Sequence, residues 1–125
     1  MDIGLTAFFL KQIGCRDSDI DGIVNENFVY LDLKRRSGFA GELALEMPAF
    51  ATWGRGELDF YTKSLDSGKT YVIEVEAGKN RAKTAMEVLE KGKADYLLLA
   101  KGNTHGGAAD KVYTIPVYGI SKFKF

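Results

Sequence analysis

The most constraining feature of this sequence is the alternating stretch from Gly56 to Glu76, GELDFYTKSLDSGKTYVIEVE. Apolar and polar side chains alternate along two arms on either side of the segment Asp66-Ser67-Gly68. Period-two alternation around such a turn predicts a β-hairpin. One face of this hairpin carries four carboxylates, which makes it the first place to look for a functional site.

The turn also sets the register of the predicted hairpin. Centring it on Asp66-Ser67 keeps the acidic faces of the two arms together, whereas a slip of one residue would set an apolar face against an acidic one. The expected pairs are Asp59 with Glu74, Glu57 with Glu76, Leu58 with Val75 and Phe60 with Ile73. Directly opposed like charges cost about 0.2–1 kcal/mol per pair, and a divalent cation is the simplest compensation. The alternative is that all four carboxylates face water.

A helix is predicted over Asp21 to Arg36, DGIVNENFVYLDLKRR. On a helical wheel Glu26 falls in the apolar stripe between Tyr30 and Leu33, which should face the sheet. A carboxylate aimed at a core is costly unless it is paired or bound to a metal. Glu26 is therefore a candidate site residue, the alternative being a glutamate bonded to a backbone amide or to a basic side chain.

The remaining segments predict a fold of class α/β, with helices flanking a mixed sheet. The expected order is helix, three strands, helix, strand, strand. We expect a short lead-in helix at about 5–12, a polar loop at 15–21, a first strand at 41–47, a second helix at about 80–91, a doubly covered strand at 95–101, a glycine-rich loop at 102–110 and a last strand at 111–119. Pro116 places that last strand at a sheet edge or marks its end.

Length and composition bound the function classes. The 125 residues predict a single domain, with residues 1–20 as a lead-in and 21–119 as the core. No apolar run approaches a membrane span and no signal peptide opens the chain, so we expect a cytoplasmic protein without membrane contact. Cys15 and His105, each the sole residue of its type, cannot form a zinc site by themselves. Because 17 basic residues balance 17 acidic ones, any contact with nucleic acid must come from a local patch.

The order of elements and their acidic residues resemble the PD-(D/E)XK nuclease-like superfamily, whose restriction-endonuclease-like core has the order αβββαβ. More narrowly, the chain is similar to the C-terminal domain of a prokaryotic AAA+-like ATPase family of poorly defined function. The residues that carry this resemblance are the opening DIGL, Asn25 to Val29 with Leu33-Lys34, Gly56 to Phe60, Ile73 to Val75, and Gly78-Lys79. The resemblance implies an ATPase module upstream or in trans. It would also explain the abrupt start of the chain, although a natural short gene would look the same.

The resemblance implies a divalent-metal site of Mg²⁺ or Mn²⁺ held by Asp59 and Glu74, with Glu26 reaching it directly or through water. Such an ion activates a water and neutralises charge on a phosphodiester. The superfamily has a lysine two residues after the glutamate, and here that position is Glu76. At about 4 Å and an effective dielectric near 20, the repulsion between the Glu76 carboxylate and a phosphate charge is roughly 4 kcal/mol before screening. Lys79 and Lys83 are the candidates to replace that lysine, unless they form an ordinary solvated face.

Three functions follow as expectations. The first is a Mg²⁺-dependent endodeoxyribonuclease. The second is a catalytically inactive module that binds DNA or a protein beside an ATPase, and the third is an interaction domain with no role on nucleic acid. A phosphate-contacting patch is expected if the two helix ends lie close; it would combine Lys34, Arg35, Arg36, Lys79, Arg81 and Lys83.

Overall fold

A computed structural model of the chain describes Gly14 and residues 17–37, 44–75, 79–102 and 104–125, and for residues 17–21 and 79–81 it describes the backbone alone. The predicted lead-in helix at 5–12 and the predicted site residue Glu76 lie outside the described residues. The described elements are, in chain order, α1 (Asp17–Arg36), β1 (Ala49–Trp53), β2 (Gly56–Lys63), β3 (Thr70–Val75), α2 (Lys79–Glu90), β4 (Tyr96–Lys101), β5 (Gly107–Ala109), β6 (Val112–Pro116) and the 3₁₀ helix η1 (Val117–Lys122).

The six strands form one mixed sheet in the order β1-β2-β3-β4-β6-β5. The first three strands are antiparallel neighbours. Strand β4 is parallel to both β3 and β6. Parallel neighbours need a long crossover, and α2 supplies the one between β3 and β4. The predicted α/β class with a helix-flanked mixed sheet is therefore confirmed.

Helix α1 buries one stripe against the sheet. Val29 and Leu33, four residues apart, are both fully buried. The basic last turn of α1 suits the negative end of the helix dipole, and the Ser37 hydroxyl donates to the Lys34 carbonyl at 2.8 Å. The predicted end at Arg36 is confirmed. The predicted start at Asp21 is too late, because the polar run from Asp17 forms the first turn of the helix, where short polar side chains are common.

The predicted first strand at 41–47 is wrong. In its described part, residues 44–47, only an isolated bridge between Leu45 and Ser64 is formed. The first strand is instead β1, which turns into β2 through Gly54-Arg55, with Gly54 in the left-handed region at φ 61°. Strand β1 lies at the sheet edge and shows no apolar–polar alternation, so period-two reasoning passes over it.

The hairpin of β2 and β3 has the predicted register but not the predicted faces. Phe60 pairs with Ile73, as expected. Between β1 and β2, Ala49 pairs with Tyr61 and Ala51 pairs with Leu58, so β2 carries one extra residue opposite Phe50. This extra residue is a β-bulge, which reverses the alternation along β2. Leu58 therefore joins the core on one face of the sheet and Phe60 the core on the other, contrary to the prediction that both lie on one face.

Two cores lie on the two faces of the sheet. The α1 face buries Val29, Leu33, Leu45, Phe60, Tyr71, Ile73, Val75, Leu98, Ala100, Val117 and Ile120. The α2 face buries Leu58, Val72, Ala85, Val88, Ala94 and Leu97. Adjacent residues of β4, Leu97 and Leu98, point to different faces and are both fully buried. The prediction that this strand is covered on both faces is confirmed.

The C-terminal region is more ordered than the sequence indicates. The predicted loop at 102–110 contains β5, which pairs with β6 in a hairpin around Asp110, a residue at φ 53°. Strand β6 ends at Pro116, as that proline predicts, and the chain continues into η1. Among the described helices, none is long and apolar enough to cross a membrane.

Gly56 lies in close contact with α2, and this contact gives a first testable prediction. A Cβ added at Gly56 would collide with the side chain of Thr84. We expect Gly56→Ala to lower the free energy of unfolding by about 1–3 kcal/mol, the usual cost of overpacking. Chemical denaturation of the single variants and of the double variant with Thr84→Ala tests this. A Gly56→Ala cost that Thr84→Ala does not reduce would contradict the steric explanation.

Asp95 connects the starts of β3 and β4, and this connection gives a second prediction. Its Oδ2 accepts hydrogen bonds from the Thr70 amide at 2.9 Å and the Thr70 hydroxyl at 3.0 Å. These bonds, the amide bond first, lower the pKa of the Asp95 carboxyl. Because the folded pKa lies below the unfolded one, the stabilisation is present above the unfolded pKa and is lost as pH falls through the folded pKa.

We therefore expect Asp95→Asn to be less stable than the wild-type protein at neutral pH. The difference between their free energies of unfolding should shrink as the pH falls below about 4. Denaturant unfolding of both proteins between neutral and strongly acidic pH measures the difference. Asp110→Asn is the matched control, since Asp110 is exposed and adopts a conformation that asparagine tolerates. A difference in free energy of unfolding that stays constant over this pH range would contradict the assigned hydrogen bonds.

Candidate functional site

Two buried carboxylates meet where the paired part of the β2–β3 hairpin ends. The pairs run from Lys63 with Thr70 to Phe60 with Ile73, and Asp59 and Glu74 are the next residues beyond the last pair. Asp59 is 4% exposed and Glu74 is fully buried. Asp59 Oδ2 accepts a hydrogen bond from the Val75 amide at 2.9 Å, and Glu74 Oε1 accepts one from the Asp59 amide at 3.2 Å. Each carboxylate thus binds the backbone of the opposite strand.

These hydrogen bonds account for how the sheet tolerates acidic side chains at its centre. Burying a carboxylate is costly unless hydrogen bonds replace its water. Bonds from amides to a charged acceptor are stronger than neutral ones. The predicted proximity of Asp59 and Glu74 is therefore present, and it is built on reciprocal contacts to the backbone.

A pocket of about 490 Å³ opens beside Asp59, between α1, β1 and β2. Its carboxylates are the half-buried Glu26, the exposed Glu57 and the buried Asp59. Its other lining residues are Phe50, Ala51, Thr52 and Leu58. The structure thus brings Glu26 and Asp59 to one pocket, as the resemblance implies, while Glu74 is not among the described residues that line it.

Asp59 is the residue common to both arrangements. It lines the pocket with Glu26 and Glu57, and it exchanges backbone contacts with Glu74 on β3. Within residues 17–37, 44–75, 79–102 and 104–125, no group of three or more histidine, cysteine, aspartate or glutamate side chains is placed to hold a metal ion. The expected ligand set of Glu26, Asp59 and Glu74 is therefore not assembled as one three-carboxylate cluster.

Of the two candidate lysines, only Lys83 has a described side chain, and Lys83 is not among the described residues that line the pocket. Lys83 is exposed on α2, which packs on the face of the sheet opposite α1. Lys79 begins α2, and its side chain is outside the description, as is Glu76 altogether. Among the pocket-lining residues that the structure describes, none is basic.

Helices α1 and α2 pack on opposite faces of the sheet, and two members of the expected basic patch, Lys79 and Arg81, have side chains outside the described residues. Arg36 is buried, and its guanidinium donates to the carbonyls of Phe123 at 2.6 Å and Ile120 at 2.8 Å. It also forms an ion pair with Asp32, at 3.1 Å between Nε and Oδ2. Arg36 therefore joins α1 to η1.

Sequence reasoning missed an aromatic residue at the pocket. Phe50 lines the pocket, yet its side chain is 71% exposed. Its ring centroid lies 5.4 Å from that of Phe60 and 6.3 Å from that of Tyr30. The only sequence signal was an aromatic residue three positions before Trp53. Nothing in that signal shows that the bulge in β2 faces Phe50.

Comparisons of the chain with protein-family models, with curated proteins and with solved structures found no match. The functional assignment therefore depends on the residues of this chain. The central observation is that Asp59 connects an open acidic pocket with a buried carboxylate on the neighbouring strand. Such a set of hard oxygen donors is suited to Mg²⁺ or Mn²⁺.

Proposed function

We propose that this chain is a nuclease-like domain of the PD-(D/E)XK type that binds a divalent cation at Asp59 and contacts nucleic acid there. The observation that carries the proposal is the meeting of Asp59 and Glu74 at the end of the hairpin pairing, with Glu26 across the adjoining pocket. The element order helix, three strands, helix, strand supports it, since this is the αβββαβ order of that superfamily. An ATPase acting on nucleic acid, upstream or in trans, is the proposed partner.

The donor set fits the cation in chemistry and in number. Mg²⁺ keeps several of its waters and is usually bound by only one or two carboxylates. Asp59 would hold the ion, with Glu26 from α1 or Glu74 from β3 as the second ligand, so a cluster of three is not required. A bound Mg²⁺ or Mn²⁺ supplies an activated water and neutralises charge on a phosphate.

The residues of the chain itself favour binding over fast catalysis. Glu76 stands where the superfamily has a lysine, and none of the described residues that line the pocket is basic. A phosphate entering this pocket would therefore meet the carboxylates of Glu26, Glu57 and Asp59. A repulsion of this kind is roughly 4 kcal/mol, and an activation barrier raised by half of that energy slows the reaction by about 30-fold. This observation supports the second candidate function, a catalytically inactive module that binds DNA or a protein.

An assay on plasmid and branched DNA distinguishes the two functions. The wild-type protein is incubated with each substrate in Mg²⁺, in Mn²⁺ and in EDTA, beside Asp59→Asn and the control Asp110→Asn. Slow metal-dependent cleavage that Asp59→Asn loses would support the nuclease. Salt-sensitive retention of DNA without cleavage would support the binding module. If the wild-type protein neither cleaves nor retains DNA, a role on nucleic acid is contradicted.

A further inference from the structure

Phe50 is held in place but mostly uncovered. Its ring packs against Phe60, which is 1% exposed, and against Tyr30 on α1, while 71% of Phe50 stays open to solvent. The Tyr30 and Phe60 rings also stack on each other, with centroids 6.0 Å apart. An aromatic ring backed by two others in this way presents a preorganised flat surface.

The bulge in β2 places this ring beside the carboxylates. Asp59 and Phe60 together face the single residue Phe50 on β1. Bulges are frequent next to functional sites, where they redirect a side chain. The consequence is that one pocket combines an exposed aromatic ring with Glu26, Glu57 and Asp59.

We infer that this pocket takes an unpaired nucleotide, with its base stacked on Phe50. This inference rests on the proposed function and names its substrate class as single-stranded or locally unpaired nucleic acid. Every base has a π face that stacks on an aromatic side chain, whereas the faces of bases inside a duplex are covered by their neighbours. A pocket of about 490 Å³ is within the size range of small-ligand sites.

The carboxylates at the pocket define which base edges fit. An ionised carboxylate only accepts hydrogen bonds, and glutamate or aspartate accepts them from the amino group of cytosine. Glu57 is exposed at the mouth of the pocket, on the strand that pairs with that of Phe50. A base with an exocyclic amino group can therefore stack on Phe50 and donate to Glu57. Thymine has no exocyclic amino group, and its one N–H, at N3, lies between two carbonyl oxygens that the carboxylate would repel.

Fluorescence anisotropy with labelled oligonucleotides tests the inference. The probes are single-stranded oligo-dC and oligo-dT and a blunt duplex of the same length, each in Mn²⁺ and in EDTA. The variants are Phe50→Ala, Phe50→Trp and the control Tyr118→Ala, since Tyr118 is 76% exposed on η1, outside the pocket lining. Circular dichroism establishes that each variant is folded.

We expect oligo-dC to bind more tightly than oligo-dT, and both more tightly than the duplex. Phe50→Ala should weaken single-strand binding by roughly 5- to 100-fold, the range for loss of one base–aromatic stack. Phe50→Trp should retain binding, and Tyr118→Ala should behave as wild type. Single-strand binding that Phe50→Ala leaves unchanged would overturn the inference, while Mn²⁺ affinity lost in Asp59→Asn would still support the proposed function. Absence of any Mn²⁺ affinity in the wild type would overturn the metal site instead.

Discussion

Replacing Arg36 with alanine should lower the free energy of unfolding by about 3–5 kcal/mol, the usual cost of removing one partner of a buried ion pair. The guanidinium donates to the Ile120 and Phe123 carbonyls and pairs with Asp32, whose side chain is 9% exposed. Its loss would leave a buried carboxylate without this cation and would remove one hydrogen-bond donor from each of two carbonyls. Equilibrium denaturation in urea measures the change.

Arg35 is the matched control for this prediction. It is the preceding residue and pairs with the same aspartate, at 3.1 Å between Nη2 and Oδ1, but its side chain is 46% exposed. Arg35→Ala should therefore cost no more than about 1 kcal/mol. Adding Asp32→Ala to Arg36→Ala should recover part of the loss, because it removes the carboxylate that has lost its buried partner. Similar costs for Arg35→Ala and Arg36→Ala would show that Arg36 does not join α1 to η1 as described.

The second large effect concerns cation affinity at Asp59. One unit charge against a dication at about 4 Å, with an effective dielectric near 20, is worth about 8 kcal/mol before desolvation is subtracted. If one third of that energy is left after desolvation is subtracted, it corresponds to about 100-fold in affinity. Asp59→Asn should therefore weaken Mn²⁺ binding by roughly 100-fold or more. Titration followed by calorimetry or by the electron paramagnetic resonance of free Mn²⁺ measures this affinity.

The other carboxylates should rank below Asp59 in this titration. Glu26→Gln and Glu74→Gln each alter one side of Asp59, and roughly 10- to 100-fold is typical when a residue supporting a ligand is changed. Asp110→Asn, the exposed control, should leave Mn²⁺ affinity unchanged. An Asp59→Asn protein that binds Mn²⁺ as the wild type does would remove Asp59 from the site.

Local patterns in the sequence predict the parts of the fold that depend on neighbouring residues. The turn and the alternation place Phe60 opposite Ile73. Gly92, at φ 71°, follows the end of α2 as a helix-stopping glycine should. The apolar run of β4 predicts a strand covered on both faces. Each of these features is decided within a short stretch of chain, so composition and spacing suffice.

The features that the sequence did not predict depend on contacts between distant segments. Leu58 and Phe60 keep a regular spacing in the sequence, and only pairing with β1 creates the bulge that separates their faces. Arg36 looks like a surface cation until η1 places two carbonyls against it. At the site, the sequence identified Asp59, Glu74 and Glu26 but not Phe50. The exposure of Phe50 follows from the bulge and from the packing of α1.

Crystals soaked in Mn²⁺ and measured for anomalous scattering test the central claim most directly, because they locate the cation without an activity assay. We expect one strong anomalous peak in the pocket between α1, β1 and β2, about 2.0–2.2 Å from an oxygen of Asp59. The Mn²⁺ ion at this peak should also contact Glu26 or Glu74, directly or through a water. A peak bound elsewhere, or no peak at a concentration where solution titration shows saturation, would contradict it.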